Sequence, residues 1–467
     1  MQVILGDRPP AGRQGSVPCF RFGFLRLTYL ILKCKLKKML FLTRLYDKIA
    51  TPEEKQVVLG NFISLSTLQG VNYILPILVL PYLVRIIGPE KFGLIAFAQA
   101  FVQYFMILAD YGFNYTATRN ISLCHDKKNE VCSIFSSVMT VKVILTIISF
   151  IIFMIIINYI PRFKNDWLIF FISFWAVVGN TLFPVWFFQG TEKMRYISAI
   201  NIIGGIIYAA CLFIFVRKPD DYMMVPVLNS LFFLITGFCA LYIAFSRFEL
   251  NFVFHKYAHI KEEFKTGWNV FTSIVAINTY TSSRVFAIGL LTNNILTGYY
   301  SIGEKIAGFI QTFPLASFSQ AIFPRLNSIF QKSKPRAFKI MRKSQSIVVY
   351  VTLIALPLIY IAAPAIVKIV CGSAFNEVTV TFRLLLVSIV FVSTNAFPVQ
   401  FLLICGRTDV YSKIHIAGAL IGLPLIFLLI KLVSYPGAAF ATIITEAVVL
   451  VLTIIMLGEL KEEKFKK

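Results

Sequence analysis

The sequence FPVWFFQG at residues 183–190 recurs as FPVQFLL at residues 397–403, and each copy ends a long apolar stretch just before a short polar turn. A second pair has nearly the same spacing: GLIAFAQ at 93–99 and GYYSIGE at 298–304. The copies are 214 residues apart in the first pair (183 to 397) and 205 in the second (93 to 298), so one duplication with small insertions explains both. The sequence therefore predicts a chain made of two similar halves.

The composition is that of a membrane protein. The chain has 467 residues, of which 58% are hydrophobic and 14% charged, and no soluble domain of this size carries so much apolar surface. Its formal net charge of +23 would suggest nucleic acid as a partner of a soluble protein. Here the Lys and Arg residues lie mainly between apolar segments, so no nucleic-acid partner is expected. Two similar halves in a membrane are typical of a transporter, with the binding site between the halves.

The apolar windows predict an all-α polytopic protein with about twelve transmembrane helices. The windows are 57–86, 92–115, 131–158, 166–188, 194–216, 222–246, 267–292, 294–322, 346–370, 378–404, 411–433 and 435–457. Six helices in each half is an even number, so both halves enter the membrane in the same direction. This predicts two parallel six-helix lobes around a central cavity.

Domain boundaries follow from these windows. They are an N-terminal extension with an interfacial helix at 1–56, an N-lobe at 57–246, an inter-lobe linker at 247–266, a C-lobe at 267–457 and a tail at 458–467. The loops after even-numbered helices and the tail hold about twenty-two Lys and Arg, and the opposite loops about six. The positive-inside rule then places both termini of this multi-pass protein in the cytoplasm.

Several functions are excluded by what the loops and the reactive side chains offer. No loop exceeds about 25 residues, which is too short for a soluble catalytic domain, so no catalytic residue, enzyme activity or cofactor is expected. No Cys-x-x-Cys pair occurs, and the four His residues are scattered. Neither a disulfide framework nor a metal site is therefore predicted.

Ionisable residues at bilayer depth are functional candidates, because a charge in lipid costs several kcal/mol unless it faces a cavity or a partner. Arg284 lies in a polar stretch of the seventh helix, and Lys305 lies three turns into the eighth. Arg and Lys in a partly dehydrated cavity suit a diphosphate, so both are predicted to bind substrate, with structural pairing as the alternative for Arg284. Lys142 and Arg383 are further substrate-binding candidates, and snorkelling to the headgroups is an equal alternative for each.

Three carboxylates are candidates for a coupling ion: Glu304, Glu446 and Asp110. Glu304 and Lys305 project about 100° apart on a helix and so are not expected to pair with each other. Structural pairing is the alternative for Glu446, and for Asp110 the favoured reading is a capped helix end with a salt bridge to Arg119.

The two Phe-Pro-Val copies are predicted to form part of a gate. Both fall at the cytoplasmic end of equivalent helices, the fourth and the tenth, with Pro184 and Pro398 about a turn before the polar turn. A helix can bend at such a proline, and Gln189 lies beside the first of them.

The chain resembles the polysaccharide transporter family of the multidrug/oligosaccharidyl-lipid/polysaccharide exporter superfamily, and most of all bacterial O-antigen (Wzx-type) flippases. The resemblance spans about residues 57–457 and rests on short motifs in a specific order. They are GPEKFG at 88–93, DYGFN at 110–114, ATR at 117–119, PVWFFQG at 184–190, EKM at 192–194, GYYS at 298–301, EKI at 304–306, FPR at 323–325 and PGAA at 436–439.

The resemblance implies a flippase working by alternating access. Its implied substrate is an oligosaccharide on undecaprenyl diphosphate, moved from the cytoplasmic to the outer face and coupled to a proton or sodium gradient. Membrane lipid and the polysaccharide polymerase machinery are the further partners expected. Three alternatives stay open: a cation-coupled multidrug exporter, a lipid II flippase, and a membrane-embedded polysaccharide polymerase or ligase. The cationic cavity residues count against the first, and the short outer loops against the last.

Overall fold

The computed structural model describes residues 52–124, 127–252, 282–373 and 375–465, together with 268, 271, 272, 275 and 278. Within these ranges the chain is helical and contains no β-strand. The expectations for residues 1–51 and for most of the inter-lobe linker lie outside the described residues.

The first half begins with a 59-residue helix that is broken once. At about 1.5 Å per residue it would be far too long for a single crossing of a bilayer. The break is at Gly88, whose φ of 74° is a conformation that favours glycine, and Pro89 then opens the next helical segment. The helices of this half are α1 (Pro52–Asp110), α2 (Phe113–Cys124), α3 (Lys128–Tyr159), α4 (Pro161–Lys164), α5 (Trp167–Leu182), α6 (Val185–Gly190), α7 (Met194–Phe215) and α8 (Met224–Phe248).

The second half follows the same order with fewer breaks. Its described helices are α9 (Ser282–Leu291), α10 (Asn294–Lys332), α11 (Lys334–Cys371), α12 (Asn376–Ile404), α13 (Thr408–Val433) and α14 (Pro436–Phe465). Asn293 caps α10 by accepting a hydrogen bond from the backbone N–H of Leu296 (2.9 Å).

The architecture confirms an all-α polytopic membrane protein. Where the structure describes them, the predicted spans coincide with single helices or with parts of α1, except that the second also reaches α2 and the fourth covers α5 and α6 together. Of the seventh, 267–292, the continuous described part is α9. In the part of the chain that the structure describes, nine helical segments are long and apolar enough to cross a membrane. One of these segments, Leu75–Cys124, contains residues from both parts of α1 and all of α2, and α9 and α10 are not among the nine.

Among the described residues, the two halves share a large buried core at one end of the molecule. One cluster combines residues from both halves, among them Phe97, Phe170, Tyr300 and Phe382. We call this the closed end; it contains the connections at 160–166, which include α4, and at 216–223, 292–293 and 372–373, together with residue 375. At the opposite, split end, each half has a separate cluster, and a contact between the halves there is the stacked ring pair Tyr111–Phe271 (4.5 Å).

Gly93 and Gly298 bring the backbones of α1 and α10 into contact at the closed end. A Cβ added at Gly298 would overlap the carbonyl oxygen of Pro89, and one added at Gly93 would overlap the backbone of Asn294 and Gly298. These glycines occupy equivalent positions in the duplicated segments that open at residues 93 and 298. The duplication has therefore placed two copies of one glycine face to face where the halves meet.

We predict that Gly298→Ala loosens the closed end, because the added methyl group has only backbone to displace. Cys371 is buried at this end and serves as the reporter in a variant that keeps it as the only cysteine. Its labelling by a membrane-impermeant maleimide should rise several-fold. Gly308→Ala is the matched control on the same helix, since its added Cβ meets no atom within 4 Å. Equal labelling of both variants would contradict the prediction.

Candidate functional site

Polar side chains form one stripe along the second part of α1. Gln99, Gln103, Met106 and Asp110 fall within about 60° of each other around the helix axis. Gln103 is exposed and the other three are partly exposed, whereas residues 92–98 are buried on every side. The surface of α1 therefore opens just past the glycine contact.

The duplicated helix α10 opens in the same way. Residues 300–303 are buried, Glu304 is partly exposed, and Lys305 and Thr312 are exposed. Lys305 is accessible to solvent even though protein surrounds its ammonium group and Glu304 is a charged neighbour. A side chain that is accessible to solvent while protein surrounds it is typical of the lining of an internal cavity.

From this exposure we infer that the two stripes line a cavity that begins where Gly93 and Gly298 touch. Gln103 lies ten residues beyond Gly93 and Lys305 seven beyond Gly298, about 15 Å and 10 Å along their helices. The exposure of Gln103 is not to lipid, because an amide without hydrogen bonds in hydrocarbon costs several kcal/mol. By contrast α11, whose apolar window is hardly buried, exposes Ile, Val and Leu side chains.

Arg284 is the centre of the charged group on the second half. Its Nε lies 3.1 Å from Oε1 of Glu304, and its Nη1 donates a hydrogen bond of 3.3 Å to Thr442. Glu446 is one turn beyond Thr442 on α14 and within electrostatic range of Arg284. The structure thus brings together the predicted residues Arg284, Glu304, Lys305 and Glu446.

A second ion pair lies on the first half. Lys142 Nζ is 2.8 Å from Oδ1 of Asp110, and Asn180 donates a hydrogen bond of 3.1 Å to Oδ2. The Lys142 side chain is 1% exposed and that of Asp110 28%. Asp110 therefore pairs with Lys142 instead of the expected Arg119. Of the two charged groups, the carboxylate of Asp110 is the one accessible to solvent, whereas the ammonium group of Lys142 is buried.

Arg383 does not join the group around Arg284. Its Nε donates a hydrogen bond of 3.2 Å to the carbonyl oxygen of Tyr360, and its guanidinium lies 4.8 Å from the centre of that ring. Tyr360 is exposed on α11, the helix with the least buried apolar window. This environment matches the snorkelling alternative for Arg383.

The two proline copies differ in structure. The chain leaves the helix at 183–184, between α5 and α6, whereas α12 continues through the buried Pro398. The Thr118 hydroxyl lies 3.3 Å from the carbonyl oxygen of Trp186 and 3.5 Å from Oε1 of Gln189, which links α2 to α6. Of the two predicted bending points, the first is a break in the helix.

Two arginines join the halves at the closed end, and sequence reasoning did not select either. Arg162 donates hydrogen bonds to the carbonyl oxygen of Gly289 (2.8 Å) and to Asn294 Oδ1 (2.6 Å). Arg85 donates to the carbonyl oxygens of Ile369 and Val370 in the last turn of α11. Tyr104 and Ser283 add a hydrogen bond between hydroxyl groups of the two halves (2.7 Å).

Gln99 and Gln103 are two further residues that the sequence analysis did not select. The sequence signal that could have identified them is a pair of polar residues at i and i+4 within an apolar span.

An all-α membrane protein with two similar halves that share a core at one end and expose polar stripes beyond it has the architecture of a transporter. A lipid II flippase MurJ in an inward closed conformation has a similar fold, with a TM-score of 0.68 and 12% identity over 84% of this chain and 87% of MurJ. A multidrug resistance MATE family transporter of the MOP superfamily, in its inward-facing conformation, also has a similar fold. Its TM-score is 0.65 and its sequence identity 12%, over 84% of this chain and 96% of that transporter.

The chain belongs to the polysaccharide biosynthesis protein family, whose model matches residues 58–330. A relative from Escherichia coli (strain K12), named "Putative O-antigen transporter", is 30% identical over 394 residues, which are 83% of this chain and 94% of the relative. A relative of the same name from Shigella dysenteriae is 25% identical over 390 residues, which are 83% of this chain and 97% of that relative. The resemblance found in the sequence is confirmed.

We predict that Asp110→Asn lowers the apparent melting temperature of the purified protein markedly. It leaves the buried Lys142 charge without its partner, a change that costs about 3–5 kcal/mol. Adding Lys142→Met should restore most of the loss. Glu130→Gln is the control, because it removes an exposed ion pair with Lys127 and should change the melting temperature little. A double variant as unstable as the single one would contradict this account.

Proposed function

We propose that the chain is a flippase for undecaprenyl-diphosphate-linked oligosaccharide repeat units of O-antigen or a related surface polysaccharide. It would move them from the cytoplasmic to the outer face of the bacterial inner membrane. The family and the names of its relatives support a transporter of lipid-linked glycan over an enzyme. The observation that carries the proposal is the cationic wall formed by Arg284 and Lys305.

The position of Lys305 on that wall favours an anion. Arg284 lies between the carboxylates of Glu304 and Glu446, whereas Lys305 has Glu304 as its charged neighbour, and Asp110 and Lys142 cancel on the other wall. Lys305 is exposed in the cavity and offers three donors. Arg284 carries a planar guanidinium oriented by Glu304 and Thr442, and a phosphate would compete with these groups for its donors. A diphosphate fits these groups better than a cationic drug does.

The sequence charges supply the orientation. The closed end contains the loops poor in Lys and Arg, so we assign it to the outer face and both termini to the cytoplasm. The split end then faces the side on which the lipid-linked glycan is made. In this state the diphosphate would enter from the cytoplasm while the lipid tail stays in the bilayer.

Outward opening requires the closed-end contacts to break. Arg162 and Arg85 both bind backbone carbonyl oxygens of the other half, and each would exchange that acceptor for water. The chain break at Pro184 lets α6 and α2 move as a pair, since Gly190 packs against Ile121 and Thr118. The released glycan would then reach the polymerase machinery on the outer face.

We assign coupling to a proton or sodium ion bound at Glu304, Glu446 or Asp110. A coupling ion changes the conformational equilibrium only if it binds one state more tightly than the other. Glu304 and Glu446 both interact with Arg284, so neutralising either one changes how strongly Arg284 attracts the diphosphate.

Arg284→Gln and Lys305→Gln should each reduce transport at least about tenfold, because each removes a charge-assisted hydrogen bond to phosphate of about 1.5–3 kcal/mol. Surface polysaccharide in a strain lacking the gene measures the effect in cells, and flipping in proteoliposomes measures it directly. Arg383→Gln is the charge-matched control outside the group and should retain transport. If both cavity variants transport as well as the wild type, the diphosphate site is wrong.

Glu446→Gln should uncouple transport from the ion gradient while leaving downhill flipping intact. In proteoliposomes, the wild type should flip lipid faster when a proton or sodium gradient is imposed than without one. The variant should flip lipid at the same rate with and without the gradient. Glu459→Gln, on the same helix beyond the charged group, is the control. A variant that responds to the gradient like the wild type would remove Glu446 from coupling.

A further inference from the structure

The two walls of the cavity differ in chemistry. The second half contributes Arg284, Glu304, Lys305 and the hydroxyl of Thr312. The first half contributes the amides of Gln99 and Gln103, the thioether of Met106 and a carboxylate already paired with lysine. One wall is cationic, and the other is uncharged and rich in hydrogen-bonding groups. The two sets differ at equivalent positions of the duplication, since Gln99 in the first half corresponds to Glu304 in the second. The side chains of the two walls have therefore diverged.

The amides are spaced to act together. Gln99 and Gln103 are four residues apart, about 6 Å along the axis and 40° around it, so both side chains project to the same side. Each amide supplies two donors and one acceptor. Met106 adds a soft apolar surface less than a turn beyond Gln103 on the same face.

A neutral sugar has the complementary chemistry. Its hydroxyl groups both donate and accept hydrogen bonds, as amides do, and its C–H faces suit an apolar surface. A diphosphate carries only acceptors and is better served by the opposite wall. Gln103 and Lys305 lie at comparable depths from the glycine contact, so a sugar joined to a diphosphate on one wall can reach the other.

We propose that Gln99 and Gln103 form a subsite for sugar hydroxyls of the glycan, so that the first half selects the repeat unit while the second half holds the diphosphate. This rests on the proposed function and adds the specificity-determining residues to it. A site that hydrogen-bonds hydroxyl groups discriminates strongly against a substrate that lacks them, because its own polar groups are then left without partners.

The test compares two substrates in proteoliposomes of the full chain. One is the complete lipid-linked repeat unit extracted from the strain that carries this gene, and the other is undecaprenyl diphosphate bearing a single sugar. The double variant Gln99→Leu/Gln103→Leu should flip the complete unit about tenfold more slowly than the wild type and the single-sugar lipid nearly as fast. Asn158→Leu, which removes an exposed amide on α3 that donates within its own helix and lies outside both stripes, should leave both rates unchanged.

The outcomes separate this inference from the proposed function. Loss of both substrates in the double variant would make the amides structural and overturn the subsite, as would the retention of both rates. Failure of the wild type to flip either lipid would overturn the proposed function and the subsite with it. Gln103→Asn, which keeps an amide, should recover part of the rate lost in Gln103→Leu for the complete unit alone. A variant that elutes aggregated is replaced by Gln103→Leu alone, with the same expectations.

Discussion

The close contact between α1 and α10 is the constraint on which the rest of the structure depends. Because Gly93 and Gly298 have no side chains, two backbones meet where any Cβ would overlap main-chain atoms. The helices separate from that point, and their polar stripes begin within two turns of it. The shared core, the arginine contacts between the halves and the cavity all follow from where these two helices touch.

The membrane sets the second constraint, which is that a charge at bilayer depth needs a partner or water. Arg284 meets it through Glu304 and Thr442, and Lys142 meets it through Asp110. Lys305 meets it instead through access to the cavity. The accessible Lys305 can therefore bind an anionic ligand, whereas Lys142 is buried against Asp110 and cannot.

Hydropathy predicted the helices well, because lipid leaves the backbone few alternatives to helices with internally satisfied hydrogen bonds. Single-residue roles were predicted less well. Arg284, Glu304 and Glu446 were chosen from depth alone and do lie together, but Asp110 was expected to pair with Arg119 and pairs with Lys142 on α3. Gln99 and Gln103 were overlooked because a neutral amide in an apolar span is a weak signal until its exposure is known.

The sequence by itself determined the helical character of the spans, the duplication and the distribution of basic loops, since these depend on local composition and on the bilayer. The tertiary structure alone decided which polar faces meet. Helical register limits a side chain to one direction, but the neighbour in that direction comes from a helix far along the chain. For this reason the cationic wall could be suspected from the sequence, whereas the amide wall opposite it emerged only from the fold.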